Sequence, residues 1–200
     1  MPAMRRLVLA TSNAGKAREL RELLAPAGWE LLMPDEAGLA PVHVVESGRS
    51  YLENATMKAV ACVHAAGLPA LADDSGLEVD ALDGRPGIHS ARSGGPAAAP
   101  DRARYEWLLR ELDGVPRARR TARFRTLVVL SLPAGQTFAR EGLLEGRIAE
   151  TPRGQGGFGY DPVFELPDGR TLAEIGEQKQ ALSHRALAIH AMIEVLKGLA

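Results

Sequence analysis

The sequence predicts an α/β protein, on three observations. Short apolar runs at residues 7–10 and 68–72 have the length and bounds of buried strands. Each lies beside a stretch whose apolar residues recur at helical spacing. Residues 122–132 and 137–148 are rich in β-forming residues and are parted by Pro133-Ala134-Gly135-Gln136, the pattern of a long antiparallel hairpin.

At 200 residues the chain is expected to form a single domain over residues 1–200 with a sizeable core. Apolar residues make up 46% and charged residues 24%, the balance of a soluble globular protein. The net charge of -1 carries no footprint for bulk nucleic-acid or membrane binding, so an anionic ligand must be met by a few placed cations. The single cysteine, Cys62, excludes an intrachain disulfide and sits in an apolar helical pattern, as a packed thiol does. No apolar run has the length of a signal peptide or a membrane span, so a cytoplasmic location is expected. A Gly/Ala/Pro patch at residues 93–100 is the one loose segment.

The strand at residues 7–10 runs into Thr11-Ser12-Asn13-Ala14-Gly15-Lys16, and a helix follows with Leu20, Leu23 and Leu24 on one face. Strand, small-residue loop and helix present backbone N–H groups and a positive helix end to phosphate. A nucleoside-triphosphate P-loop fits poorly, because that motif needs glycine where Ala10 stands and a hydroxyl where Ala17 stands. An exposed turn with a solvated lysine is the plain alternative.

Residues 29–33 read as a second strand. Glu46 follows in a polar turn, and Ser50-Tyr51-Leu52-Glu53 has the form of a capping box opening a helix through about Ala66, with Lys58 two turns inside it. The run at residues 68–72 then meets Asp73-Asp74-Ser75-Gly76. Neighbouring strand side chains point to opposite faces, so both carboxylates serve one site only if the chain turns, and Ser75-Gly76 is expected to supply that turn. Two carboxylates there can hold a hard cation such as Mg²⁺ and deprotonate a water. The alternative is an acidic turn bonding its own backbone.

Asp83-Gly84-Arg85-Pro86-Gly87 is a turn, and residues 100–112 read as a helix with Tyr105, Leu108, Leu109 and Leu112 as its apolar set. In Gly154-Gln155-Gly156-Gly157-Phe158-Gly159-Tyr160-Asp161-Pro162, glycines let backbone approach a ligand and an aromatic can stack on a planar ring. It can equally be a turn with Phe158 tucked into the core. A last helix begins near Ser183, its stripe of Ala188, Met192, Val195, Leu196 and Leu199 being core. His184 and Arg185 fall in its first turn, where the helix dipole opposes cations, a conflict that a ligand contact would explain.

Taken together, these segments resemble the inosine/xanthosine triphosphate pyrophosphatase family. The resemblance rests on Thr11-Ser12-Asn13-Ala14-Gly15-Lys16, Glu46-Ser47-Gly48 with Glu53-Asn54-Ala55, Asp73-Asp74-Ser75-Gly76-Leu77, Gly87-Ile88-His89-Ser90-Ala91-Arg92, Gly157-Phe158-Gly159-Tyr160-Asp161-Pro162 and Ser183-His184-Arg185, in the family's order. His89 stands where the family often has tyrosine, Ser93 where an aromatic is common, and residues 176–182 are a looser version of the usual acidic-lysine run.

The resemblance implies a long, mixed, twisted sheet flanked by helices, two lobes with a central substrate cleft, and a homodimer. It implies Mg²⁺-dependent hydrolysis of ITP, dITP or XTP to the monophosphate and pyrophosphate, which cleanses the nucleotide pool. Thr11, Ser12, Asn13, Ala14, Gly15 and Lys16 would cradle the triphosphate, with Lys58 and Lys179 as added charges. Glu46 and Asp74 would hold Mg²⁺, Asp74 would also act as the base, and Asp73 would support them from behind. Ser75 would contact substrate and Phe158 would stack on the base. Gly159, Tyr160, Asp161, His184 and Arg185 would line the base pocket, with His184 and Arg185 at the six-carbonyl. Two other readings remain: a Maf-like pyrophosphatase acting on other nucleotides, and a nucleotide-binding regulator without turnover.

Overall fold

The computed structural model describes residues 5–40, 44–94 and 100–199. In chain order the elements are β1 (Arg6–Leu9), α1 (Ala14–Leu24), β2 (Glu30–Leu32), α2 (Tyr51–Ala66), β3 (Ala70–Val79), β4 (Pro86–Gly87), α3 (Asp101–Glu111), β5 (Thr121–Ser131), β6 (Thr137–Ile148), β7 (Phe164–Glu165), α4 (Lys179–Leu182) and α5 (His184–Gly198). The strands form one sheet in the order β2-β1-β3-β5-β6-β7, with β4 beside β3. β2 and β3 are parallel to β1, whereas β4 and β7 are antiparallel to their neighbours, so the sheet is mixed, as expected. Of the patch read at residues 93–100, residues 95–99 lie outside the described residues.

The chain divides into two compact units: residues 1–74, 126–142 and 185–200 form one, and residues 75–125 and 143–184 the other. In the first unit β1 is buried on both faces. Leu7 and Leu9 enter a core with Leu20 and Leu24 of α1 and Ala188, Ile189, Met192 and Leu196 of α5. Val8, on the other face, meets Cys62, Val63 and Ala70. That division follows from the two-residue period of a strand, and each fully buried leucine contributes about 1.5–3 kcal/mol. Ala55 and Ala59 of α2 pack with Ala72 and Val129, all fully buried. Small residues at that contact let α2 lie close to β3.

The helix starts follow their local chemistry. The Asn13 side chain accepts from Lys16 N at 3.0 Å and caps α1. Ser50 caps α2 by accepting from Glu53 N. The Glu53 carboxylate returns to Arg49 N rather than to the cap itself, one residue from the reciprocal bond of a capping box.

In the second unit Leu77, Val79, Leu108, Leu112, Phe124, Ile148, Tyr160, Val163 and Phe164 form the core. Within the apolar set expected for α3, Leu108 is buried and Tyr105 and Leu109 pack more loosely at its edge. β5 and β6 are sheet neighbours joined by the Pro133-Ala134-Gly135-Gln136 loop, where Leu132 N donates to Gln136 O at 2.9 Å.

One expectation is overturned. Ser75 and Gly76 do not turn the chain; β3 continues unbroken through Asp73, Asp74, Ser75 and Gly76 to Val79. The strand continues because it gains partners: Leu77 pairs with Gly87 of β4, and Leu77 N donates to Ser90 Oγ at 2.9 Å. Backbone groups satisfied in a ladder have no reason to turn away from it.

Candidate active site

Because β3 is unbroken, Asp73 and Asp74 face opposite sides of it. Both are buried, with 2% and 6% of their surfaces exposed. Asp73 shares the side of Leu71, and so faces α1 and α5; Asp74 shares the side of Ala72, and so faces α2.

On the first side, Asp73 Oδ2 accepts from Lys16 Nζ at 2.9 Å and from Arg185 Nε at 3.2 Å. Arg185 also pairs with Glu19 of α1 through its Nη1. Burial alone would raise the Asp73 carboxyl, but Lys16, Arg185 and Lys58 hold it far below the usual carboxylate range. Burial lowers the Lys16 ammonium; Asp73 opposes that shift, and the like charges of Arg185 and Lys58 add to it. Lys16 is therefore a partly desolvated cation held at one end by Asp73. Around it, Thr11 is half-buried and its Oγ1 accepts from Asn13 N at 3.2 Å, while Ser12, Asn13 and Ala14 are exposed. Gly15 is half-buried at the helix start.

On the second side, Lys58 Nζ of α2 meets Glu46 Oε1 at 3.1 Å and Asp74 Oδ1 at 3.4 Å, and donates to the Asp73 backbone carbonyl at 2.7 Å. Burial disfavours the Lys58 charge, yet Asp73, Asp74 and Glu46 together raise its pKa. Burial pushes the Asp74 carboxyl above its ordinary range, with the Glu46 charge adding and the lysines opposing. Asp74 Oδ2 accepts from Asn54 Nδ2 at 3.1 Å.

Among the described residues, no group of three or more His, Cys, Asp or Glu side chains gathers as a cation cage. Two carboxylates on one ammonium suit Mg²⁺ nonetheless, since that ion is held by one or two carboxylates and completes its shell with water and substrate phosphates. An apolar recess of about 570 Å³ in the same unit, lined by Arg5, Trp29, Pro69, Leu132 and Leu199 among others, takes in none of the motif residues.

The second unit holds the aromatic loop. Asp161 Oδ2 accepts from Phe158 N at 2.8 Å and from Lys179 Nζ at 2.8 Å, and that ammonium lies 4.5 Å from the Phe158 ring centroid. Asp161 thus clamps both ends of a cation–π contact. Gly157 must be glycine: its φ is +73°, and a Cβ there would come within 2.0 Å of Asp161 Oδ2. Gly159 N donates to Asp101 Oδ2 at 2.7 Å, and Tyr160 OH donates to Ser90 O at 2.9 Å. Burial pushes the Tyr160 phenol up to about 12, so it remains protonated. The buried His184 ring stacks on Phe124 at 4.7 Å and 9°. Ser75 is half-buried in β3.

Two of the expected site residues are bonded within the protein. Arg185, expected beside a base, is 2% exposed and turns its guanidinium to Asp73 and Glu19. Lys179, expected as a phosphate charge, is bonded to Asp161 above Phe158. Asn54 stood in a matching stretch with no role given to it, and Glu19, Asp101 and Phe124 were not singled out in the sequence. Asn54 stands four residues before Lys58 and Glu19 three after Lys16, each on one helix face, and that spacing was a usable signal. Asp101 and Phe124 carry no such spacing.

Fold and site define the class: an α/β protein on a mixed sheet, with a lysine–carboxylate cluster on both faces of one strand. The Ham1 family model matches residues 7–195, and the chain belongs to that family. It is 51% identical over 194 residues to the dITP/XTP pyrophosphatase of Thermus thermophilus, covering 96% of this chain and 92% of that protein. It is 42% identical over 200 residues to the dITP/XTP pyrophosphatase of Bacillus subtilis, covering 99% and 100%. Among solved structures, a HAM1 protein from Coxiella burnetii matches with a TM-score of 0.87 at 37% identity, covering 98% of this chain and all of that one. The Staphylococcus aureus Ham1 protein matches at 0.86 and 35%, with the same coverage.

Proposed function

We propose that residues 1–200 form a single Mg²⁺-dependent nucleoside-triphosphate pyrophosphatase domain that hydrolyses ITP, dITP and XTP to the monophosphate and pyrophosphate. The observation that carries the reading is the meeting of Glu46 and Asp74 on one ammonium, Lys58. The names of the relatives support the substrate class.

Glu46 and Asp74 would hold Mg²⁺, which when bound would neutralise phosphate charge and lower the pKa of a water. Lys16 and the 11–15 loop hold the triphosphate through charge and backbone N–H groups. Asp73 fixes Lys16, and Arg185 fixes Asp73. Asp74 accepts a proton from the attacking water as general base. The water oxygen bonds to one of the two phosphorus atoms flanking the α–β bridging oxygen. The bridging P–O bond then breaks, and the monophosphate and pyrophosphate leave with no covalent enzyme intermediate. Phe158 stacks on the base, Ser75 contacts substrate, and Gly159, Tyr160, Asp161, Lys179 and His184 shape the base side. A cytoplasmic setting and a homodimer belong to the same proposal, the homodimer as what the family resemblance implies.

The test is pyrophosphate release from ITP, XTP, dITP, ATP, GTP and dUTP, each with Mg²⁺ and with a chelator in excess. Selective, chelator-sensitive turnover of the first three is expected. Equal rates on ATP, or turnover without a divalent ion, would overturn the reading.

A further inference from the structure

We infer that Asn54 is a positioning residue that sets the Glu46 segment and Asp74 in register for one divalent cation; the inference rests on the metal role proposed for those two carboxylates. Asn54 is buried in the first turn of α2, with 2% of its surface exposed. Its amide is used from both ends. Gly48 N, two residues from Glu46, donates to Asn54 Oδ1 at 2.9 Å, and Asn54 Nδ2 donates to Asp74 Oδ2 at 3.1 Å. One planar group therefore ties the loop that carries Glu46 to the strand that carries Asp74, segments more than twenty residues apart in the chain.

The amide also chooses between the two oxygens of Asp74. Oδ2 is engaged by Asn54, which leaves Oδ1 on the side of Lys58 and Glu46, 3.4 Å from the Lys58 ammonium. No other side chain of this size does both tasks. Aspartate would set a carboxylate against Asp74 and offer no donor, and leucine would strand the Gly48 N–H and Asp74 Oδ2 without bonds. Position 48 is shaped to the same contact. A Cβ on Gly48 would come within 2.6 Å of Asn54 Oδ1 and 3.1 Å of Asn54 N, so the loop approaches the amide as closely as a backbone can.

The experiment measures Mn²⁺ affinity by electron paramagnetic resonance, in the presence of a non-hydrolysable α,β-methylene ITP, for the wild type, Asn54→Ala, Asn54→Asp and Gly48→Ala. Partners that orient metal ligands typically change affinity by about 10–100-fold, and Asn54→Ala is expected to weaken Mn²⁺ by that factor with nucleotide affinity at saturating metal kept. Asn54→Asp should weaken it more strongly, because it disorders Asp74. Gly48→Ala, which leaves both carboxylates and the amide in place, should weaken it as well. It also decides the matter if Asn54→Ala does not fold. A second arm makes the same variants in the Asp74→Asn background, where the loss on Asn54→Ala should be smaller than in the wild type, since only the Glu46 segment is left for the amide to position. Unchanged Mn²⁺ affinity in Gly48→Ala and in every folded Asn54 variant overturns the inference, as does a wild type that binds no Mn²⁺. A wild type that binds Mn²⁺ tightly but hydrolyses no triphosphate overturns the proposed activity and leaves the positioning role standing.

Discussion

Asp73 and Asp74 are adjacent in one unbroken strand, yet they face opposite ways, Asp73 to Lys16 and Arg185 and Asp74 to Asn54 and Lys58. The pair therefore divides two tasks that a turn would have merged. Asp73 arranges cations, and Asp74 is left to the carboxylate pair with Glu46.

Asp73→Asn is expected to destabilise the fold, since removing one partner of a buried pair costs about 3–5 kcal/mol. The pH dependence has a definite sign. The folded-state pKa of Asp73 is depressed, so its stabilisation is fully present above the unfolded carboxylate value of about 4 and is lost as pH falls below that. Urea unfolding between pH 7 and pH 3 should show the wild type losing stability more steeply than Asp73→Asn. Parallel curves would remove Asp73 from the acid transition.

Arg185→Ala should lower kcat/KM for ITP and for ATP by the same factor, because the guanidinium is committed to Asp73 and Glu19. It should also lower the melting temperature, a large fall being expected when a fully buried cation leaves two carboxylates behind. Steady-state kinetics on both nucleotides decide the matter. A fall confined to ITP would return Arg185 to reading the base.

Asp74→Asn should keep the fold and nearly abolish turnover. The amide can still accept from Asn54 Nδ2, but it neither takes a proton nor offers a full charge to a cation, and loss of a catalytic base costs about 10²–10⁴-fold in rate. Pyrophosphate release at saturating Mg²⁺, alongside a thermal melt, is the measurement. A near-normal rate would sink the assignment of Asp74 as base.

Gly157→Ala should raise KM for ITP by about tenfold or more. Its Cβ would displace Asp161, which holds both Phe158 N and Lys179, and a left-handed alanine itself carries about 1–3 kcal/mol of strain. The same strain and the displaced Asp161 should lower the melting temperature by several degrees, at about 2–4 °C per kcal/mol for a chain of this size. An unchanged KM would detach the 154–162 loop from substrate binding.

The sequence by itself determined the class of fold, most element positions and the family. Those features are local: the period of Leu20, Leu23 and Leu24, the Ser50 cap and the β-rich runs ending at Leu132 and Ile148 follow from propensity and spacing within a few residues. Only the tertiary structure decided the partners. Ser75-Gly76 has the composition of a turn, but pairing with β4 kept it extended, because ladder hydrogen bonds outweigh a weak local preference. That Arg185 meets Asp73 and Lys179 meets Asp161 depends on contacts spanning 112 and 18 residues. Residue type alone cannot encode such pairings, since a buried guanidinium or ammonium takes whichever carboxylate the fold brings within reach.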